Sequence, residues 1–215
     1  MDEQKDIKDI FDKTPEQEAQ EAIEAEKQKE AEKEAEKKKL LSQNAKEWIV
    51  DIVGAIAIAL VILFFFKPSI VQEHSMENTL ENNDFVFVSK QSYKLFGEMK
   101  RGDVIVFQSN LPMEGGGSKF LVKRIIGLPG DTIEIKDGIT YLNGEAQEET
   151  YTKEGITVGD MNAVVVEEEH LFVMGDNRQN SADSRSIAVG QVPFEDVIGK
   201  VVFRVYPLDK FGRIK

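Results

Sequence analysis

Cysteine is missing altogether from the 215 residues. This excludes disulfides, a thiolate nucleophile and cysteine-based zinc sites, so any exported fold must rest on its apolar core alone. Histidine is nearly missing too. His74 and His170 are the two in the chain and they form no helix-spaced pair of the HExxH kind, so neither a metal centre nor any other cofactor site is expected. Basic residues are in the minority: 27 against 39 acidic ones, for a net charge of −12. Residues 1–47 hold 10 basic and 15 acidic side chains, and the rest hold 17 and 24. With both parts acidic, a nucleic-acid partner is excluded, because phosphate binding draws on clustered Lys and Arg.

Large apolar side chains are almost lacking in residues 1–47 after Phe11. From 24 to 39 the chain reads EAEKQKEAEKEAEKKK. Pairs such as Glu30 with Lys33 and Glu34 with Lys38 support a solvated helix that has no face to bury. The segment reads as a charged tail, disordered to helical. Residues 52–66, IVGAIAIALVILFFF, then carry no charge at all, and adding 48–51 gives nineteen residues. At 1.5 Å per residue this suffices to cross a bilayer core of roughly 30 Å. A cleaved signal peptide fits less well, because the run starts far from residue 1 and ends in Phe64, Phe65, Phe66, Lys67 and Pro68 rather than in small residues. Lys33, Lys37, Lys38, Lys39 and Lys46 precede the span and Lys67 alone follows it closely. The positive-inside rule then places the N-terminus in the cytoplasm and everything after the span outside. The expected organisation is a cytoplasmic tail over 1–47, a transmembrane anchor over 48–66 and one extracytoplasmic domain over 67–215.

That outer domain alternates short β-rich runs with turns: 85–88, 104–107, 120–126, 132–135, 139–142, 163–166, 171–174 and 197–206. The pattern predicts an all-β domain behind a single N-terminal helix, a mainly β protein. Asp137-Gly138 marks a hairpin and Asn143-Gly144 a second turn. Residues 115–117 form a glycine loop tip and 150–160 a long surface connection.

Just past the span stands IVQEHSMENTL (70–80), followed by RGDVIVF (101–107), VKRIIGLPGD (122–131) and GDNRQNSADSR (175–185). In this order, behind one anchor, these segments resemble the type I signal peptidases of bacteria, in their Gram-positive form. The likeness spans 48 to about 206. It implies a membrane-anchored serine endopeptidase that removes signal peptides from exported preproteins, with Ser75 as nucleophile and Lys123 as general base. Ser181 matches a hydroxyl that helps position the lysine, and Asp183 and Arg185 match an ion pair beneath the site. Secretory preproteins, membrane lipid and, as an open candidate, the export machinery are the partners implied. Ile70, Val71 and Val122 are expected to line part of the substrate site. Two positions depart from the family pattern. Asn78 stands where many members have proline, and Glu73 stands where some carry a hydroxyl that binds the oxyanion. An ionised carboxylate cannot donate that bond, which leaves the backbone N–H of Ser75 for the role.

The residues support the chemistry independently of the resemblance. A lysine accepts a serine proton only when neutral, and an ordinary lysine is neutral about once in several thousand molecules at pH 7. Lys123 lies in the apolar run FLVKRII, where strand alternation puts it on the face of Leu121 and Ile125, opposite Val122 and Arg124. An apolar surround disfavours the ammonium. His74 adjoins Ser75 and on an extended segment points away from it, while His170 stays open as the partner of a Ser-His pair.

Overall fold

The computed structural model describes residues 15–90, 93, 98–113 and 115–214. Its contacts divide the chain into two units, Met1–Leu60 and Val61–Lys215. A long helix, α1, runs from Pro15 to Phe65. Its first part is rich in Ala, Glu and Lys, which are strong helix formers, and Glu34 meets Lys38 at 3.0 Å one turn on. The stretch Glu47–Phe65 is, by length and composition, sufficient to cross a membrane, and none of it is buried. The first fourteen residues of the expected tail lie outside the described residues.

The second unit is built from antiparallel strands. These are β1 (Phe66–Ile70), β2 (Phe85–Ser89), β3 (Val104–Pro112), β4 (Ser118–Gly127), β5 (Thr132–Lys136) and β6 (Ile139–Leu142). The remaining six are β7 (Glu145–Ala146), β8 (Met161–Val165), β9 (His170–Met174), β10 (Val192–Pro193), β11 (Val197–Tyr206) and β12 (Gly212–Arg213). Among the described residues they form two sheets. The larger runs β1-β2-β11-β3-β4-β9-β10 with β12 attached to β11, and the smaller runs β7-β6-β5-β8. The expected mainly β domain is therefore what the chain adopts after the helix.

Turn chemistry fixes the smaller sheet. Asp137 and Gly138 both have positive φ, 52° and 79°, the geometry of a type I′ turn that keeps Lys136 opposite Ile139. Asn143 and Gly144 repeat it at φ 52° and 84° between β6 and β7. Three apolar clusters hold the unit together. One joins Ile105, Phe107, Leu121 and Ile125 to β9, a second joins Val71, Met76 and Leu80 to β2 and Val201, and a third joins Ile133 and Ile135 to Phe172 and Met174.

Two expectations need revision. Phe66 is not the last residue of the apolar helix: it opens β1, paired with Ser89 of β2. The connection 150–160 is not simply a surface loop, since Thr152 and Thr157 are buried within it.

Candidate active site

Ser75 sits in a tight turn between β1 and β2. Within that turn the N–H groups of Thr79 and Leu80 both reach the carbonyl of Met76, at 3.0 and 2.7 Å. Met76 and Leu80 are fully buried and fasten the turn to the core beneath it. Lys123 comes from the middle of β4, opposite Ile105 of β3, and is 1% exposed between the buried Leu121 and Ile125. Its Nζ donates to Ser75 Oγ at 2.7 Å and to the carbonyl of its neighbour Val122 at 3.0 Å. Two residues 48 apart in sequence thus meet at hydrogen-bond distance.

Burial pushes the Lys123 amine down to about 8, against the opposing pull of Asp183 and Glu73, which favour its charged form, with Lys119 acting in the direction of burial. Such an amine is neutral in about one molecule in ten at pH 7, against one in several thousand for an ordinary lysine. The pair can therefore take a proton from the serine and pass it on, the elementary requirement of acyl transfer through a hydroxyl.

The segment 175–185 wraps the far side of Ser75. Asn177 N–H donates to the carbonyl of Ser75 at 3.0 Å, and a Cβ placed on Gly175 would overlap both that carbonyl and the hydroxyl of Ser181. Asp183 and Arg185 form a two-pronged ion pair, both contacts 2.8 Å, and the N–H of Gly175 adds a bond to Asp183 at 3.0 Å. Burial pushes the Asp183 carboxyl up, but the guanidinium of Arg185 outweighs it and holds the group below the usual carboxylate range. Ser181 Oγ is buried within this segment, close enough to the Asp183 carboxyl to help hold it down. The two bonds of the Lys123 amine go to Ser75 and Val122.

A groove of about 760 Å³ opens beside Ser75, and Ile70, Val71 and Val122 lie along it with Met113, Phe120 and Ile198. Ile70 is exposed and Val71 buried, so they present different amounts of surface to an occupant. Glu73 and Lys119, also on the groove, form an ion pair. The carboxylate of Glu73 is thus occupied by a cation, and the N–H of Ser75 donates to no acceptor among the described residues. The two histidines do not complete a Ser-His pair. His74 Nδ1 bonds Glu77, and His170 Nδ1 faces the carbonyl of Glu168 at 2.8 Å.

Several residues of the site escape sequence reasoning. Arg124, on the opposite face of β4 from Lys123, is buried with Asp176 in a pair of 2.8 and 2.7 Å contacts. Arg178 meets Glu149 at 2.5 and 2.6 Å. Each buried arginine lies inside one of the two long motifs, yet alternation assigns Arg124 to the solvated face and nothing local marks Glu149.

Sequence comparison agrees with this geometry. The family described as "Signal peptidase, peptidase S26" matches residues 45–206. Signal peptidase I P of Bacillus subtilis subsp. natto is 39% identical over 191 residues, covering 84% of this chain and 99% of that protein. Signal peptidase I S of Bacillus subtilis (strain 168) is 38% identical over 178 residues, covering 78% and 92%. A crystal structure of a signal peptidase I from Enterococcus faecalis V583 aligns with a TM-score of 0.40 and 32% identity, over 48% of this chain and 97% of that one. The motifs, the mainly β fold and these relatives together place the chain in the signal peptidase family, peptidase S26, as a serine endopeptidase of the signal peptidase I type.

Proposed function

We propose that this enzyme removes signal peptides from exported preproteins while anchored in the cell membrane by one helix, with Ser75 as nucleophile and Lys123 as general base. The observation that carries the reading is the 2.7 Å contact between a buried lysine amine and the serine hydroxyl. Neutral Lys123 takes the Ser75 proton as Oγ attacks the carbonyl carbon of the scissile bond. The carbonyl oxygen becomes an oxyanion, for which the free N–H of Ser75 is the available donor. As the tetrahedral intermediate collapses, the ammonium returns its proton to the leaving amine, and an ester to Ser75 remains. Water then attacks that ester, giving its proton to Lys123, which passes it to Ser75 Oγ as the ester C–O bond breaks, so that the acid product leaves with the neutral amine and the hydroxyl restored.

Gly175 and the Asp183–Arg185 pair are the support for this dyad, and Ser181 adds to it through Asp183. Ile70, Val71 and Val122 belong to the substrate groove in this reading. The anchor is the apolar helix from 48 to its end at Phe65, with 1–47 cytoplasmic and the domain from Phe66 onward outside, and the lysines ahead of the span support that orientation. Membrane lipid and the export machinery are its expected neighbours. Eight residues separate Phe66 from Ser75, at most about 30 Å of chain, so the nucleophile works close to the bilayer. A substrate held in the same membrane suits that placement better than a free peptide does.

Cleavage of a preprotein with an Ala-x-Ala site by the detergent-solubilised chain tests the whole reading. The natural chain is expected to cut, and folded Ser75→Ala and Lys123→Ala variants are expected to lose the activity by about 10³-fold or more. Comparable cutting by Lys123→Ala would remove it as the base.

A further inference from the structure

The turn that carries Ser75 is fastened on two sides. Beneath it, Met76 and Leu80 enter the core. Beside it, its fastening is polar and comes from two other segments of the chain. Asn78 Nδ2 donates to the carbonyls of Tyr151 and Thr152, at 3.0 and 3.4 Å. Lys153 Nζ donates to Glu77 Oε2 at 2.6 Å, and its own backbone N–H donates to the carbonyl of Asp176 at 3.0 Å. Asn177 completes the ring: its N–H takes the carbonyl of Ser75, and its amide reaches the carbonyl of His74 at 3.0 Å and Glu77 at 3.2 Å. The segment 149–153 is itself held by the Arg178–Glu149 pair.

Asn78 also has a φ of 90°, a left-handed conformation that a residue with a side chain keeps only where its surroundings hold it there. Its two bonds to the loop hold the turn in that conformation. Released from them, the residue has a reason to relax toward negative φ, and Ser75 three residues earlier in the same turn would move with it. A displacement of about 1 Å at a nucleophile is enough to cost roughly 10²-fold in rate.

We propose that Asn78 and Lys153 are positioning residues, which set the direction of the Ser75 hydroxyl by tying its turn to the loop at 149–153. The proposal rests on the reading of Ser75 and Lys123 as the reacting pair. Neither residue touches the reacting atoms, and both act through the turn. They distinguish two components: Asn78 supplies a neutral tether and a strained backbone, and Lys153 supplies a charge to Glu77, whose carboxyl is held below its usual range first by Lys153 and then by His74.

The experiment measures kcat, KM and Tm for the full chain in detergent on a preprotein with an Ala-x-Ala site. Asn78→Gly keeps the positive φ available and removes the tether, whereas Asn78→Ala removes the tether and penalises the φ as well. Asn78→Gly is expected to lower kcat about tenfold with KM within about twofold, and Asn78→Ala to lower it further. Lys153→Met is expected to lower kcat severalfold, with Lys153→Arg restoring most of it. Combining Asn78→Gly with Lys153→Met is expected to cost less than the product of the two, because both release one clamp. Unchanged kcat in Asn78→Gly and Lys153→Met, or a loss that tracks the fraction of unfolded protein, overturns the proposal. Lys123→Ala measured alongside separates the two claims. If it is inactive and the clamp variants are unaffected, only the clamp fails, and if it is active the dyad fails and the clamp with it.

Discussion

Lys123 owes the character of its amine to where the fold puts it. Its amine is buried among apolar side chains of β4 and its neighbours, and this lowers it to about 8 from 10.5. Activity should therefore follow deprotonation of this group: kcat/KM is expected to rise about tenfold per pH unit below 8 and to level off above it. A flat profile from pH 6 to 9 would show that another group limits the reaction. The same shift destabilises the folded chain. Below about 8 the folded state holds a desolvated ammonium, and between 8 and 10.5 the unfolded chain binds more protons than the folded one, so stability rises with pH across that window. Lys123→Met removes the buried charge at similar volume. It is expected to abolish cleavage and to raise stability at pH 7 by about 1–3 kcal/mol, with the gain shrinking as the pH approaches 10.5. Denaturant melts of both chains at pH 7 and 10 measure it. Gly175 is the complementary case, a residue whose value is having no side chain. A Cβ there would meet the carbonyl of Ser75, which the backbone fixes, as well as the hydroxyl of Ser181, so Gly175→Ala is expected to cost about 10²-fold in kcat and about 1–3 kcal/mol of stability.

Strand β4 carries the site on both faces, and this explains which elements a reader of the sequence can find. Runs with strong turn chemistry at their ends, such as β5 and β6 around Asp137-Gly138, are legible because the type I′ turn leaves one register open. The run 197–206 is legible as β11 because it is long and β-branched. Strand β1 is not, since Phe66 reads as the end of the apolar run and Lys67, Pro68 and Ser69 carry no strand signal; it exists because β2 offers it a ladder. The Ser75–Lys123 contact is legible only through the motifs, because no local pattern brings position 75 to position 123. Alternation places Lys123 correctly with Leu121 and Ile125 but fails at Arg124, because β4 is covered on both faces from Lys123 to Gly127. The opposite face is occupied by the Arg124–Asp176 pair, roofed by the ring of Tyr151 at 4.2 Å from the guanidinium carbon. Removing one partner leaves a buried charge uncompensated, so Arg124→Met and Asp176→Leu are each expected to cost about 3–5 kcal/mol. The double variant is expected to recover a good part of the summed loss, as seen by the midpoints of denaturant melts. Strict additivity would mean that the two charges do not depend on each other.

The three apolar clusters that hold the β domain draw on residues from Val71 onward. Strand β1 lies just ahead of them and adds two things: a five-residue ladder along β2, and Lys67, Pro68, Ser69 and Ile70 on the groove. A chain that starts at Phe66 keeps all of this, whereas one that starts at Val71 loses the strand and bares the edge of β2 with Phe85 and Phe87. Exposed edges of that kind pair with other chains. The Phe66 chain is accordingly expected to keep its melting transition and to cleave a short soluble Ala-x-Ala peptide within about twofold of the full chain. On a preprotein inserted in vesicles it is expected to be slower by about 10²-fold, because a shared membrane raises the effective concentration of substrate and that advantage is gone. The Val71 chain is expected to melt lower, to self-associate and to lose activity on both substrates. Equal rates for the full and Phe66 chains on the vesicle-bound preprotein would show that the apolar helix contributes nothing to substrate capture, and equal behaviour of the Phe66 and Val71 chains would show that β1 is no part of the substrate groove.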